Sequence, residues 1–467
     1  MGAGDAGPQG KSHGRDWAPT VAIVGGGVAG YSAATRLRAA FPGAEVHLYD
    51  RGRWHHYSAC GMTFALEGLY PLDRVVLETP EQSERAGVHV HEGVDVVGLD
   101  VATRRLRTSG GAQEGPFEAI VLATGRRPFV PPVPGAELPG VHALSNYGDA
   151  ERVIELARRS ERAVVVGGGA IGLETAVALR ALGLGVTVVE ALPHLLPQML
   201  GPELAAPVRA HLEARGIAVL TGAPVERFQA GTSGRATTVV AGGAALGAEL
   251  IVVAAGVRPE STLAAAAGLD RGPTGAFATD AHLRAVRGGA PVEGVYAVGD
   301  CAEVRSAVTG LPTLSPLAST ALYQARSVAL HLMDGRHAHR PVVAPAVVVV
   351  GGLHAGCVGL TARAAEGAGL APWSVTAKGL DRSRYFPGAL ELHVGLVGDR
   401  DGRIVGAQAV GPRDVKERMN LLAVAISQGI GAGELADIER AYSPPLQLLA
   451  DPMLGALEQF VERAGGR

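Results

Sequence analysis

Apolar positions come in short unbroken runs, and glycine ends most of them. Residues 21–24 are apolar throughout and lead into Gly25-Gly26-Gly27-Val28-Ala29-Gly30. An Ala-, Leu- and Arg-rich stretch follows, then a predicted strand over Glu45 to Tyr49 that closes on Asp50. Unbroken runs of this length predict strands buried on both faces, and the intervening stretch predicts a helix packed against them. The same order returns over residues 163–190, with Gly167, Gly169 and Gly172 in the loop and Glu190 at the end. Residues 120–122 form another apolar run ending in the turn Ala123-Thr124-Gly125, and residues 252–256 form one ending at Gly256. A charged helix is predicted over residues 150–162. Residues 294–299 are predicted as a strand that delivers Asp300 into a site. From about residue 337 the glycine and helix grammar stops. Strands over 390–397 and 403–410 and a helix over 415–429 predict a separate unit there.

Each glycine loop has a physical reading. Gly25 permits the tight turn, Gly27 lets the backbone approach a pyrophosphate, and Gly30 lets the helix pack on the strand. The free N–H groups of the helix N-terminus then receive the phosphates. Asp50 stands about 20 residues past the loop, where a carboxylate accepts from ribose hydroxyls. Glycine makes up 66 of the 467 residues, so a loop alone would say little. Strand, helix and terminal acid in register make the signal specific. The repeat predicts two bound dinucleotides. Glu190 is followed by Ala191-Leu192-Pro193-His194, with no arginine to hold a 2′-phosphate, which favours NADH over NADPH. The predicted class is α/β, with two Rossmann-like dinucleotide-binding domains and a C-terminal α+β domain. The first occupies residues 20–145 and 271–336, the second 146–270 and the third 337–467.

Composition narrows the partners. A formal charge of −3 and a pI near 6.6 give no reason to expect nucleic acid or an anionic membrane. Residues 1–19 are glycine-rich and polar, which predicts a disordered tail and neither a signal peptide nor a lipid anchor. The apolar stretch 342–350 is too short to span a bilayer and contains Pro345. The three cysteines, Cys60, Cys301 and Cys357, are far apart in the chain, which points to a reducing cytoplasm. His55 and His56 have no partners at metal spacing, so no metal site is expected.

Cys60, in Tyr57-Ser58-Ala59-Cys60-Gly61-Met62, has no second cysteine within reach in sequence. An intramolecular disulfide beside a flavin is therefore excluded. A lone thiol can cycle between thiolate and a mixed disulfide, sulfenic acid or persulfide, or it can be a small buried hydrophobe. The nucleotide folds favour the redox role.

These motifs together resemble the FAD-dependent pyridine nucleotide-disulfide oxidoreductases. Within them the chain is similar to the single-cysteine branch of coenzyme A-disulfide reductase, NADH oxidase, NADH peroxidase and persulfide reductase. The resemblance runs over nearly all residues after 19. It implies FAD on the first fold, NADH on the second, and a third domain that makes a homodimer. It places Asp300 of Gly299-Asp300-Cys301-Ala302 on the flavin ribitol. It places Glu174, after Ile171-Gly172-Leu173 and on the first turn of its helix, near the nicotinamide and flavin. Tyr442-Ser443-Pro444-Pro445 with Asp451-Pro452, and Tyr385-Phe386-Pro387-Gly388, resemble segments that work across the dimer, with each tyrosine placed to protonate a leaving thiolate. The helix N-terminus near Gly61 is expected to stabilise the Cys60 thiolate. The resemblance implies hydride transfer from NADH through flavin to sulfur on Cys60, the substrate being a small disulfide such as coenzyme A-disulfide or a persulfide. The other readings are an NADH oxidase or peroxidase, and a flavoprotein redox sensor or electron carrier.

The chain departs from these relatives at several positions. Ala29 replaces a histidine of the oxidases and peroxidases, which counts against peroxide or oxygen. Ala170 replaces a gating tyrosine. His56 and Ala59 replace the Ser and Asn that contact coenzyme A in its disulfide reductases, while Arg36 and Arg38 remain as candidates for phosphate.

Overall fold

The structure, a computed structural model, describes residues 13–465. The predicted strand–turn–helix–strand units are present at both places. Thr20–Val24, the helix Val28–Ala40 and Glu45–Asp50 form the first. Arg162–Val166, the helix Ala170–Ala181 and Gly185–Val189 form the second.

The first sheet has six strands, in the order Arg284–Arg287, Ala290–Ala297, Ala119–Leu122, Thr20–Val24, Glu45–Asp50, Val88–Glu92. All neighbours are parallel except the Arg284–Arg287 and Ala290–Ala297 pair. The second sheet is wholly parallel, in the order Ile217–Leu220, Gly185–Val189, Arg162–Val166, Leu250–Val253, Val141–Ala143. Central strands such as 119–122 and 250–253 are buried at every position, as doubly covered parallel strands require. Arg126–Pro128 and Val257–Pro259 pair antiparallel where the chain passes between the two sheets. The third sheet is antiparallel, in the order Ala346–Val350, Leu353–Gly359, Ile404–Gly411, Glu391–Gly398, Trp373–Leu380. The helices Val415–Gln428 and Pro452–Gly465 pack on it, with Met419, Leu422 and Phe460 in its core.

Several expectations are corrected. The helix expected over 150–162 spans Tyr147–Ala157, because Asn146 and Asp149 form a capping box that starts it early. Arg162 already begins the next strand. Val141–Ala143 pairs within the second sheet, ahead of residue 145, while Leu263, Ala264 and Ala267 pack in the core of the first sheet, ahead of residue 270. The expected tail is divided. Residues 1–12 lie outside the described residues, whereas Trp17 packs edge-on against Phe41 with ring centroids 5.2 Å apart. Among the described residues no helix is long and apolar enough to cross a membrane.

Asp451 caps the last helix by accepting from Leu454 N at 3.1 Å, and its Oδ2 accepts from Arg418 Nη2 at 2.9 Å. Both side chains are buried. Asp451→Ala strands a buried guanidinium, so it should destabilise the protein by about 3–5 kcal/mol in chemical denaturation. Loss of less than about 1 kcal/mol would show that the pair is not holding the helix.

Candidate functional site

The two glycine loops are built alike. At Gly25 φ is +106° and at Gly167 it is +119°, a region open to glycine. A Cβ on Gly25 would collide with Ala123 O, and one on Gly167 with Ala254 O. Gly30 lies against Gly25 O, and Gly172 against Gly167 O, so neither tolerates a side chain. Gly27 and Gly169 instead face open space, as a loop that receives a ligand must. Asp50 Oδ2 accepts from Gly26 N at 2.7 Å, and Glu190 Oε2 accepts from Gly168 N at 2.7 Å. Each acid is thereby fixed beside its loop. Glu190 Oε1 accepts from Leu192 N, and His194 Nδ1 is engaged with Leu195 O.

The other predicted nucleotide residues gather around the first loop. Ala123 N donates to Val24 O, and Thr124 Oγ1 donates to Glu260 O at 2.5 Å, beyond the turn at Gly256. Gly125 and Gly256 both have positive φ. The strand Ala290–Ala297 leads into a short turn, Gly299–Cys301, that carries Asp300. Gln324 Oε1 accepts from Gly299 N at 2.6 Å and fixes that turn from the helix Ala318–Asp334. These positions fit a dinucleotide with its pyrophosphate at the loop. Backbone N–H groups at the helix start lack intrahelical partners, and a carboxylate is fixed beside each loop.

Cys60 lies on the turn Ala59–Gly61, with the helix Met62–Glu67 following it. It is exposed, whereas Cys301 is fully buried and donates its thiol to Val298 O at 3.3 Å. Burial pushes the Cys357 thiol up to about 12. Burial also pushes the Cys60 thiol up, despite its exposed area, because the protein packed on its other sides desolvates it. The Arg126 guanidinium opposes that effect, and the Glu174 and Asp300 carboxylates add to it. The expected depression by the helix N-terminus is therefore outweighed. The helix has only six residues, and burial acts more strongly on the thiol.

Arg126 Nη1 pairs with Asp300 Oδ2 at 2.6 Å, so the ribitol candidate and the cation nearest in effect to Cys60 are one ion pair. Arg126 was not singled out in the sequence, since only the crossing of the two sheets brings it here. Tyr70, also missed, donates to Gly61 O at 3.0 Å and is the phenol bonded to the Cys60 turn. Tyr385 and Tyr442 stand apart from that turn in sequence and in unit. Both are exposed on the C-terminal unit, and Ser383 N donating to Pro444 O at 3.4 Å joins their segments.

Glu174 is the fifth residue of the helix that begins at Ala170, which corrects the first-turn expectation. It accepts from Thr63 Oγ1 at 3.1 Å, and burial pushes its carboxyl up to about 7. Arg38 Nη1 donates to Pro42 O and Ala44 O, so it closes the end of its own helix and is not free for phosphate. His55 is buried between Glu92 at 2.9 Å and Ser83 at 2.8 Å. Among the described residues no group of three His, Cys, Asp or Glu could hold a metal ion.

The family profile described as pyridine nucleotide-disulphide oxidoreductase matches residues 19–325, and its dimerisation domain matches residues 345–448. The chain is 31% identical over 452 residues to an NADH oxidase of Methanocaldococcus jannaschii, covering 95% of this chain and 99% of that protein. It is 30% identical over 443 residues to an NAD(P)H coenzyme A polysulfide/persulfide reductase of Pyrococcus horikoshii, covering 93% and 96%. A solved NAD-dependent persulfide reductase from A. fulgidus superposes with a TM-score of 0.90 at 31% identity, covering 96% of this chain and 84% of that one.

Arg126→Gln should raise the Cys60 pKa further and slow its alkylation by iodoacetamide about threefold at neutral pH, about half a pKa unit. Unchanged kinetics, read on the Cys60 peptide by mass spectrometry, would mean that the guanidinium does not act on the thiol.

Proposed function

The chain belongs to the pyridine nucleotide-disulphide oxidoreductases, FAD-dependent enzymes that use NAD(P)H, and we propose that it reduces a small disulfide or persulfide through Cys60 as its single redox thiol. The observation that carries this reading is the contrast among the cysteines. Cys60 is exposed beside Arg126 and Asp300, whereas Cys301 and Cys357 are held in the protein interior or raised out of reach.

FAD, when bound, carries the electron pair from NADH to sulfur. Gly25, Gly27 and Gly30 with Asp50 hold its adenosine and pyrophosphate end. Asp300, backed by Arg126 and Gln324, holds its ribitol. Gly167, Gly169, Ile171 and Gly172 with Glu190 hold NADH, and Glu190 disfavours a 2′-phosphate by like charge. Cys60 Sγ, as thiolate, attacks one sulfur of the acceptor, forms Cys60–S–S–R and expels the first thiolate. The electron pair then breaks that bond, releasing the second thiol and restoring the Cys60 thiolate. Tyr442 and Tyr385 act from the exposed C-terminal surface of a second copy, donating protons to the leaving sulfur. Residues 20–145 and 271–336 serve FAD, 146–270 serve NADH and 337–467 serve the homodimer, with the packing hand-overs near residues 141 and 262. A reduced Cys60 suits a cytoplasmic protein.

A second reading, oxidation of NADH by oxygen, is favoured by the M. jannaschii relative and opposed by Ala29 in the first loop. NADH consumption under air without any disulfide separates the two.

Cys60→Ser should retain FAD and its reduction by NADH while losing NADH-dependent reduction of coenzyme A-disulfide by at least about a hundredfold, because a hydroxyl forms no mixed disulfide. Normal disulfide turnover by this variant overturns the proposal. NADH should reduce the bound flavin at least about tenfold more efficiently than NADPH in stopped flow, a difference of about 1.4 kcal/mol. Equal efficiency would deny Glu190 its role.

A further inference from the structure

Glu174 joins three parts of the chain. Thr63, which donates to it, stands on the helix that follows Cys60. Glu174 itself stands on the helix of the second glycine loop, and Val349, which lines the same cavity as Glu174, lies on the first strand of the C-terminal sheet. Glu174 and Thr63 line a cavity of about 210 Å³ between these elements, whose wall includes Glu67, Phe64 and Val177. Leu69 and Gly352, both exposed, form its mouth.

We propose that Glu174 is the charge-compensating acid of Cys60. It takes up a proton through this cavity when Cys60 becomes a thiolate, and it returns that proton when the sulfur is bonded again. The inference rests on the single-thiol reading above and adds a second titrating residue to it.

Two negative charges in one low-dielectric region disfavour each other, so each favours the neutral form of its neighbour. The Glu174 carboxylate is one of the groups that raise the Cys60 thiol, and the effect is mutual. Burial already brings the Glu174 carboxyl to about 7, where a small change in the thiol's charge decides its protonation. Among the described residues no basic side chain pairs with Glu174 to lock it ionised. Arg126 is engaged with Asp300, and His211 and Arg215 both donate to the carbonyl of Gly351, a residue of the cavity wall. Glu67, on the helix that follows Cys60, is the other acid at the cavity.

The balance is complete. Two electrons enter the Cys60–S–S–R bond and yield RS⁻ and Cys60–S⁻. RS⁻ takes one proton and leaves as RSH. Glu174 takes a second proton from bulk water. The reduced site then carries the same net charge as the oxidised one, with the negative charge moved from oxygen to sulfur.

The test follows Cys60 alkylation by iodoacetamide in FAD-loaded protein from about pH 5 to about pH 11, so that the raised thiol's own inflexion lies within the range, read on the Cys60 peptide by mass spectrometry. The protein as it stands should show two inflexions, one of them near neutrality where Glu174 ionises. Glu174→Gln should leave a single inflexion and alkylate about threefold faster just above neutral pH, about half a pKa unit. Thr63→Val removes a donor to the carboxylate and should move the neutral inflexion upward, whereas Thr63→Ser should leave it in place. A two-inflexion profile that survives Glu174→Gln overturns the inference. If that variant fails to fold, an inflexion unmoved by Thr63→Val overturns it equally. An unchanged profile together with a disulfide-inactive Cys60→Ser would remove this inference and leave the function standing. Normal turnover by Cys60→Ser would remove the function itself.

Discussion

Both nucleotide units depend on one close approach, a helix start pressed onto the glycine turn that precedes it. Gly30 on Gly25 O and Gly172 on Gly167 O bring backbone to backbone with no room for a Cβ. Because the approach is that tight, each helix points its free N–H groups at the loop, and each terminal acid reaches the amide of the middle glycine. A larger residue at any of the four positions would push helix from strand and displace the loop together with the acid fixed to it. The remaining site follows from having two such units side by side, since the helix of the second meets the helix that follows Cys60.

Electrostatics at Cys60 is a contest between burial and a single ion pair. Desolvation raises the thiol, Arg126 lowers it, and Asp300 both anchors the arginine and offsets part of its charge. A site that took its thiolate from the protein alone would hold that charge permanently. Here burial outweighs the guanidinium, and the protein on its own favours the neutral thiol over the thiolate. Cys301 shows the contrasting case, for its thiol donates to two carbonyls and is sealed by the core.

Much of this was legible along the chain. The glycine loops, the acids at Asp50 and Glu190, the turn at Asp300 and the isolation of Cys60 are local features with fixed spacing, and sequence displays spacing directly. What was missed arises from contacts between distant segments. Arg126 reaches Asp300 because two strands cross between the sheets. Tyr70 reaches the Cys60 turn because the loop after the short helix folds back. Thr63 reaches Glu174 because two helices from different units pack together. Helix limits failed where capping decided them, as at Asn146, and the placement of Glu174 failed because the helix begins at Ala170. Trp17 looked like part of a polar tail because its partner, Phe41, lies beyond a whole helix.

The central claim is that one cysteine alternates between thiolate and a sulfur-bonded form at the expense of NADH. The intact mass of the non-reduced, FAD-loaded protein after exposure to coenzyme A-disulfide, taken before and after anaerobic NADH, tests it most directly. One adduct of the mass of coenzyme A, mapped to Cys60 and removed by NADH without oxygen, is the predicted result. An adduct on Cys301 or Cys357, or one on Cys60 that NADH leaves in place, would contradict the account.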